Sequence, residues 1–456
     1  MRILFVRPAS SAETIGLQHV MVVEPLELEV LAALTVTRHQ VVIVDMILEK
    51  KSIDYFIRRE NPDVFCVTGY ITHVPQMIGY CRTAKAINPS VITVTGGVHC
   101  EVCPEDLEDG SIDFRVVRNA TRSFPTLIEY LEGEESFPAG ILPKNEKVSP
   151  SDLPPFDFYF PYPDRHLTAR YRKHYFYIFH NKVALIKTSF GCPFSCNFCF
   201  CREITKGSYF ERPLNEVIEE LLTIREKNIY IVDDDFLTGR NRVKDFIDAN
   251  RSANLKKNYL LYGRADFIAR NPDIMADFKS VGLKTVIVGF ESFDDDELRK
   301  YNKNIDSGTN EEAMRILNSL QIDCYATIIV SPDWGTEEFA FCGKKIRELG
   351  IHYVNLQPLT PLPGTGASND RYELIIPRTD FEKWDLAHVT LRPVKMSTAD
   401  FYRNILELYH SILFQPRFLL KYAKTYSLPM MVKMIKGSYH VNRQYLEKIR
   451  EAESDA

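Results

Sequence analysis

The 456-residue sequence has no run of about 18 uninterrupted apolar residues, so no membrane-spanning helix is expected. It also lacks a recognisable leader: the apolar start MRILFVRP stops at Pro8 without a cleavage site, and the chain is expected to stay in the cytoplasm. Positive charge is not in surplus. With 56 Lys and Arg against 61 Asp and Glu, the formal net charge of −5 offers no basic field for a nucleic-acid partner. Ten cysteines are too few and too unevenly spaced for a disulfide framework, and in a reducing compartment a tight group of them is better used on metal. Internal repeats and low-complexity tracts are missing as well. What is there is 45% hydrophobic and 26% charged, the composition of a globular chain long enough for two or three domains.

Residues 1–131 alternate short β-rich runs (RILFV at 2–6, VVIVD at 41–45, DVFCVTG at 63–69, VITVTGG at 91–97, DFRVV at 113–117) with helical patterns such as 26–37 and 77–87. Strands separated by helix-length segments imply parallel pairing, hence an α/β fold with a small doubly wound sheet. Two strands end in glycine, at Thr68-Gly69 and Gly96-Gly97, on the sheet edge where such folds bind ligands. Residues 132–182 are rich in proline and polar residues, hold no clear period and read as a linker. From Val183 to residue 370 the alternation resumes with six strand-like runs, which suits a partial or full β/α barrel. The tail, 371–456, reads as mainly helical, aromatic and locally basic, and its stretch 395–440 either lines a substrate entrance or packs on the barrel.

Directly after an apolar strand comes Phe190-Gly191-Cys192-Pro193-Phe194-Ser195-Cys196-Asn197-Phe198-Cys199, with the spacing CxxxCxxC. Three thiolates on one loop can ligate three irons of a cubane and leave the fourth open. Zinc is the competing reading, but it normally takes four ligands, and Cys201 sits in cramped CxC geometry beside Cys199. Asp233-Asp234-Asp235 closes the second barrel strand, while Arg264 (YGRADF) and Glu291 (VGFES) close the next two. By the barrel rule these positions carry the site. A solvated turn at the aspartates and an internal ion pair between Arg264 and Glu291 are the plainer alternatives. Gln357, Thr360 and the PLPGT loop at 361–365 end a later strand and either face substrate or form a simple Pro/Gly turn.

The cysteine loop and the β/α pattern around it closely resemble the radical S-adenosylmethionine (SAM) superfamily over about 180–370. The resemblance implies that Cys192, Cys196 and Cys199 bind a [4Fe-4S] cluster and that SAM chelates the open iron. Reductive cleavage would then yield a 5′-deoxyadenosyl radical. It further implies Phe198 near the adenine and Asp234, Asp235, Arg264 and Glu291 as SAM contacts. A small parallel sheet ahead of such a barrel resembles the cobalamin-binding, Rossmann-like domain of cobalamin-linked radical SAM enzymes. That second resemblance implies cobalamin between the domains, near Thr68, Gly69, Gly96, Gly97 and His99. The DxHxxG signature is absent after the first strand (RPASSAETIG), and Arg118-Asn119-Ala120-Thr121-Arg122 replaces the usual acidic stretch after the fifth. His73, and a CxxC at Cys100 and Cys103, read as ordinary structural groups.

These resemblances imply a cobalamin-dependent radical SAM methyltransferase acting on an unactivated carbon, with an electron donor such as flavodoxin or ferredoxin as partner. A carbon of a peptide or protein is the first guess at substrate, with a polycyclic lipid and a natural-product precursor also open. A non-methylating cyclase or oxidase of the same class is the alternative, and a cluster- and cobalamin-binding sensory module the more distant one.

Overall fold

The structure is a computed structural model that describes residues 1–15, 20–134, 136–147, 149, 153–366, 371–413 and 428–454. Near the amino terminus, β1 (Arg2–Arg7), β2 (Gln40–Asp45), β3 (Val64–Thr68), β4 (Ile92–Gly96), β5 (Phe114–Val116) and β6 (Ile141–Pro143) form one sheet in the order β2-β1-β3-β4-β5-β6. The first five are parallel, because each crosses over through a helix. Leu4, Val6 and Phe65 point to one face and pack with Phe56, Ile57, Met77 and Cys81 of two helices. Ile3, Phe5 and Val64 point to the other and pack with Leu28, Ala32, Phe124 and Leu127. Alternate residues of β1 thus bury in opposite layers, which is the doubly wound arrangement. The strand order reverses between β1 and β3, so the ligand crevice of such a sheet opens where those strands end, at Arg7 and Thr68.

The second sheet runs in chain order, all parallel: β7 (Val183–Ile186), β8 (Asn228–Ile231), β9 (Asn258–Gly263), β10 (Leu283–Glu291), β11 (Asp323–Val330) and β12 (Tyr353–Pro358). Six strands curl into a barrel left open between β7 and β12. A hairpin, Phe176–Tyr177 with His180–Asn181, plugs its amino-terminal mouth. Tyr177 packs on Tyr230 at 4.9 Å between ring centroids, and Phe179 packs on Tyr353 at 4.7 Å.

The stretch 132–182 departs from the linker expectation. Its residues 141–143 add the antiparallel strand β6 to the front sheet, and the segment 165–174 is an ionic bolt between the two sheets. Arg165 donates to Glu220 at 2.7 Å and to the carbonyl of Leu185 at 2.7 Å, while Arg172 pairs with Glu24 and with Glu226. Glu24 in turn accepts from the backbone of Leu185. Composition could not reveal this, since the partners lie up to 161 residues apart. Among the described residues of the tail, α-helix covers Thr398–Leu413 and Leu428–Ser454; before them the chain is irregular apart from a 3-10 turn at Phe381–Lys383 and one bridge between Leu374 and Leu391. Residues 414–427 of the aromatic and basic stretch lie outside the described residues. No helix among those described is long and apolar enough to cross a membrane.

Candidate active site between two sheet edges

The cysteine loop starts where Ser189–Phe190 pairs with Phe210–Glu211, and Gly191 makes the turn. Its φ is +77°, and an added Cβ would meet the carbonyl oxygen of Ser208 at 2.0 Å, so only glycine fits. The loop is then held from several sides. The backbone N–H of Gly191 donates to Asp234 at 2.9 Å. The side chain of Asn197 donates to the carbonyl of Lys300 at 2.6 Å, and that of Asn302 donates to the carbonyl of Ser195 at 2.7 Å. The loop after β12 closes the other flank, since a Cβ on Gly366 would touch Asn197 at 3.4 Å.

The three aspartates after β8 divide their roles. Asp233 accepts from Thr188 and Ser189 at 2.5–2.7 Å and locks the strand entering the cysteine loop. Asp234 carries the loop's first N–H and lies 3.9 Å from Lys187. Asp235 accepts from the N–H of Leu237 at 3.1 Å with one oxygen, and its second oxygen is buried with no partner among the described residues. Burial pushes the Asp235 carboxyl up to about 7, against the pull of Arg264 and Lys303.

Arg264 and Glu291 do not pair with each other. Arg264 stacks on the Phe194 ring at 3.8 Å, donates to Asp266 and to the carbonyl of Lys303 at 2.9 Å, and lies 3.8 Å from the Cys196 sulfur. Glu291 is held with φ of +62° at the end of β10 and pairs at 2.9 Å with Lys303, both side chains buried. Gly289 makes room for that pair, because a Cβ there would meet the Glu291 carboxylate at 2.2 Å. Lys303 and Gly289 escaped the sequence reading, since YNKNID reads as a polar surface turn and only the barrel buries its lysine. Phe198 packs edge-on against Tyr301 at 5.7 Å. Gln357 is half-buried at the end of β12, and the buried Thr360 donates to the carbonyl of Pro358 at 3.0 Å.

On the front sheet, the ends of β3 and β4 are pressed together. Gly97 has φ of +98°, and a Cβ on it would meet the Thr68 hydroxyl at 2.5 Å and the carbonyl of Gly69 at 2.9 Å. A Cβ on Gly69 would in turn strike His73 at 2.7 Å, while one on Gly96 would only touch Val116 at 3.4 Å. His99 is buried beside this turn, with Nε2 at 2.8 Å from Asp106 and its ring edge-on to Phe381 at 6.0 Å. The Cys100 thiol reaches the carbonyl of Thr95 at 3.8 Å.

These two edges face one another. Tyr70, directly after Thr68-Gly69, keeps 59% of its surface open, yet burial, the charge of Glu27 and then those of Asp234 and Cys201 raise its pKa. Tyr262 on β9 is 37% open and is likewise raised, by burial first and Cys201 among the nearby charges. The helix Val98–Val102, directly after Gly97, packs against the helix Cys201–Thr205, directly after the cysteine loop, so the two edges bound one cleft. Tyr70, Glu27 and Tyr262 were not singled out from the sequence, where nothing joins residues about 190 positions apart.

The donor set fits the expected groups. Burial holds the thiols of Cys192, at about 12, and of Cys196 above their ordinary value, so thiolates here call for a cationic partner of the kind iron supplies. Cys199 differs, lowered by a hydrogen bond from the Cys201 thiol. The partnerless oxygen of Asp235 and the nearby Arg264 and Lys303 suit the ammonium and carboxylate of an amino acid. The glycine-tight turns at 68–69 and 96–97, with the Thr95 hydroxyl buried and partnerless among the described residues, suit a ligand lying close to backbone.

Comparison with known proteins agrees with this architecture. Residues 14–128 match the B12 binding domain and residues 186–341 match the Radical SAM superfamily, which between them take up more than half of the chain. The hopanoid C-3 methylase of Methylococcus capsulatus is 28% identical over 394 residues, spanning 84% of this chain and 75% of that protein. The cobalamin-dependent SAM radical enzyme OxsB, solved with aqua-cobalamin and SAM, superposes with a TM-score of 0.71 at 14% identity, covering 98% of this chain and 72% of its own. The radical SAM methyltransferase TsrM from Kitasatospora setae, with cobalamin and a [4Fe-4S] cluster, gives 0.66 at 14% identity, covering 100% and 99%. The chain belongs to the cobalamin-dependent radical SAM enzymes, a class that includes radical SAM C-methyltransferases, and its cofactors are a [4Fe-4S] cluster, SAM and cobalamin.

Proposed function

We propose that this enzyme transfers a methyl group to an unactivated carbon of an apolar polycyclic lipid. The observation that carries the methyl transfer is the cleft itself, in which the helix after the cysteine loop, Cys201–Thr205, meets the helix after the glycine turn of the front sheet, Val98–Val102. When bound, the cluster supplies one-electron cleavage of SAM and cobalamin supplies the methyl group. The chain's own residues bind and orient. Cys192, Cys196 and Cys199 hold the cluster, with Asp234 and Asn302 fixing their loop. Asp235, with its spare oxygen, would accept from the SAM ammonium, the cations of Arg264 and Lys303 would offset carboxylate and thiolate charge, Glu291 keeps Lys303 in place, and Phe198 would hold the adenine. Thr68, Gly69, Gly96 and Gly97 would seat the nucleotide end of cobalamin, His99 supports that turn through Asp106, and Gln357 and Thr360 would face the substrate.

The lipid assignment is supported by the resemblance to a hopanoid methylase along most of both chains. The peptide carbon weighed from the sequence rests on class membership alone. The test is anaerobic turnover of the reconstituted enzyme with methyl-labelled SAM, a reductant and a pentacyclic hopanoid, read by mass spectrometry. Labelled methyl-lipid with 5′-deoxyadenosine and S-adenosylhomocysteine is the expected result. Deoxyadenosine formed with no methyl leaving SAM would overturn methyl transfer, and methylation of a peptide but not of the lipid would overturn the substrate class.

A further inference from the structure

The last helix, Leu428–Ser454, is apolar on two sides. One side, with Met430, Gly437, Tyr445 and Ile449, is buried against the helix Thr398–Leu413 and the barrel. The other carries Leu428, Val432, Ile435, Tyr439 and Leu446, spaced by four, three, four and seven residues, which aligns them in one stripe. Leu428 is 71% open, Ile435 67% and Tyr439 64%. At 1.5 Å per residue the stripe is about 27 Å long. A helix packed once on a globular body normally turns a polar face outward, so a second apolar stripe is the mark of a contact surface.

Charge identifies the partner. From Leu428 to Leu446 the helix has no Asp or Glu while it holds Lys433, Lys436 and Arg443, in a chain whose net charge is −5. On the helix itself Lys436 and Arg443 flank the exposed stripe, Arg443 also reaching Glu447 at 3.1 Å. Lys433 turns the other way, over the Phe176 ring. Apolar residues in one line with basic residues at their border, and no acid before Glu447, are what an anionic bilayer surface takes up: the stripe enters the acyl boundary and the cations meet headgroup phosphates. A second copy of this chain would bring the same positive border to itself and be repelled.

We propose that the exposed face of helix Leu428–Ser454 docks the enzyme on an anionic lipid bilayer. The docking rests on this face alone and is independent of the methyl-transfer reading, because it is measured without turnover. Full-length protein is sedimented with vesicles of phosphatidylcholine alone and of phosphatidylcholine mixed with phosphatidylglycerol, at low and high salt. Binding to the mixed vesicles only, weakened by salt, is expected, and K436E/R443E should weaken it at least about tenfold. A readout within the intact fold comes from Tyr439→Trp, since the chain's two tryptophans, Trp334 and Trp384, are both buried. Its emission should shift to the blue on mixed vesicles and stay unshifted on neutral ones. Equal binding to both vesicles, no shift, or a dimer in solution that Ile435→Asp dissociates would each overturn the proposal.

Discussion

Cys199 and Cys201 stand two positions apart and have different surroundings. Cys201 begins the short helix after the loop and lends its thiol to Cys199, whereas Cys192, Cys196 and Cys199 converge from the loop itself. Replacing any of the latter three by alanine should abolish cluster binding and deoxyadenosine formation, while Cys201→Ala should retain the cluster; iron and sulfide analysis of anaerobically reconstituted protein decides. A fourfold cysteine zinc site predicts that all four variants behave alike. At the other edge, Gly97→Ala forces a β-carbon onto Thr68 at a positive φ. The corrin absorbance retained after gel filtration should drop at least about tenfold, as expected when a fitted backbone contact is lost, with iron content unchanged.

At the scale of elements, two histidines sit at junctions that must stay neutral. His73 follows β3 and is lowered to about 4 by burial. His180, in the hairpin that plugs the barrel, is 3.0 Å from the Thr285 hydroxyl and is likewise lowered to about 4 by burial. A histidine with a depressed folded pKa gives its full stability above the unfolded value near 6.5. It loses that stability as pH falls, because the unfolded chain takes up the proton first. Each contributes at most about 3 kcal/mol between pH 6.5 and 4. The melting temperature of the cofactor-free protein should fall across that window, and His180→Gln should flatten the fall; an unchanged slope would show that the hairpin histidine takes up its proton alike in the folded and the unfolded chain.

Over the whole molecule, the two sheets are joined by buried charge rather than by a flexible tether. Glu24 sits beside Arg165 and Arg172, which also hold Glu220 and Glu226 of the barrel. Removing one member of such a buried pair leaves its partner uncompensated and costs about 3–5 kcal/mol. Glu24→Ala should therefore open the cleft before either sheet unfolds, seen as new proteolytic cuts within 145–175 with both sheets still resistant. Simultaneous cleavage throughout the chain would mean instead that the two sheets fold as one unit.

By itself, the sequence determined the local chemistry and the fold class. CxxxCxxC after an apolar strand, glycine-ended strands and strand–helix alternation are short-range patterns, written within a few turns of chain; they carried the cluster loop and both sheets, and the family resemblance they bear implied the cofactors. Only the tertiary structure decided what depends on distant partners. It buried Lys303 against Glu291, set Asp234 to the loop and left Asp235 with an oxygen to spare. It also set the helix Val98–Val102 against the helix Cys201–Thr205 and turned a proline-rich linker into a bolt between domains. The physical reason is that burial and charge pairing are properties of a place in space. Residues such as Glu24 and Leu185, 161 positions apart, acquire that place only when the chain has closed around them.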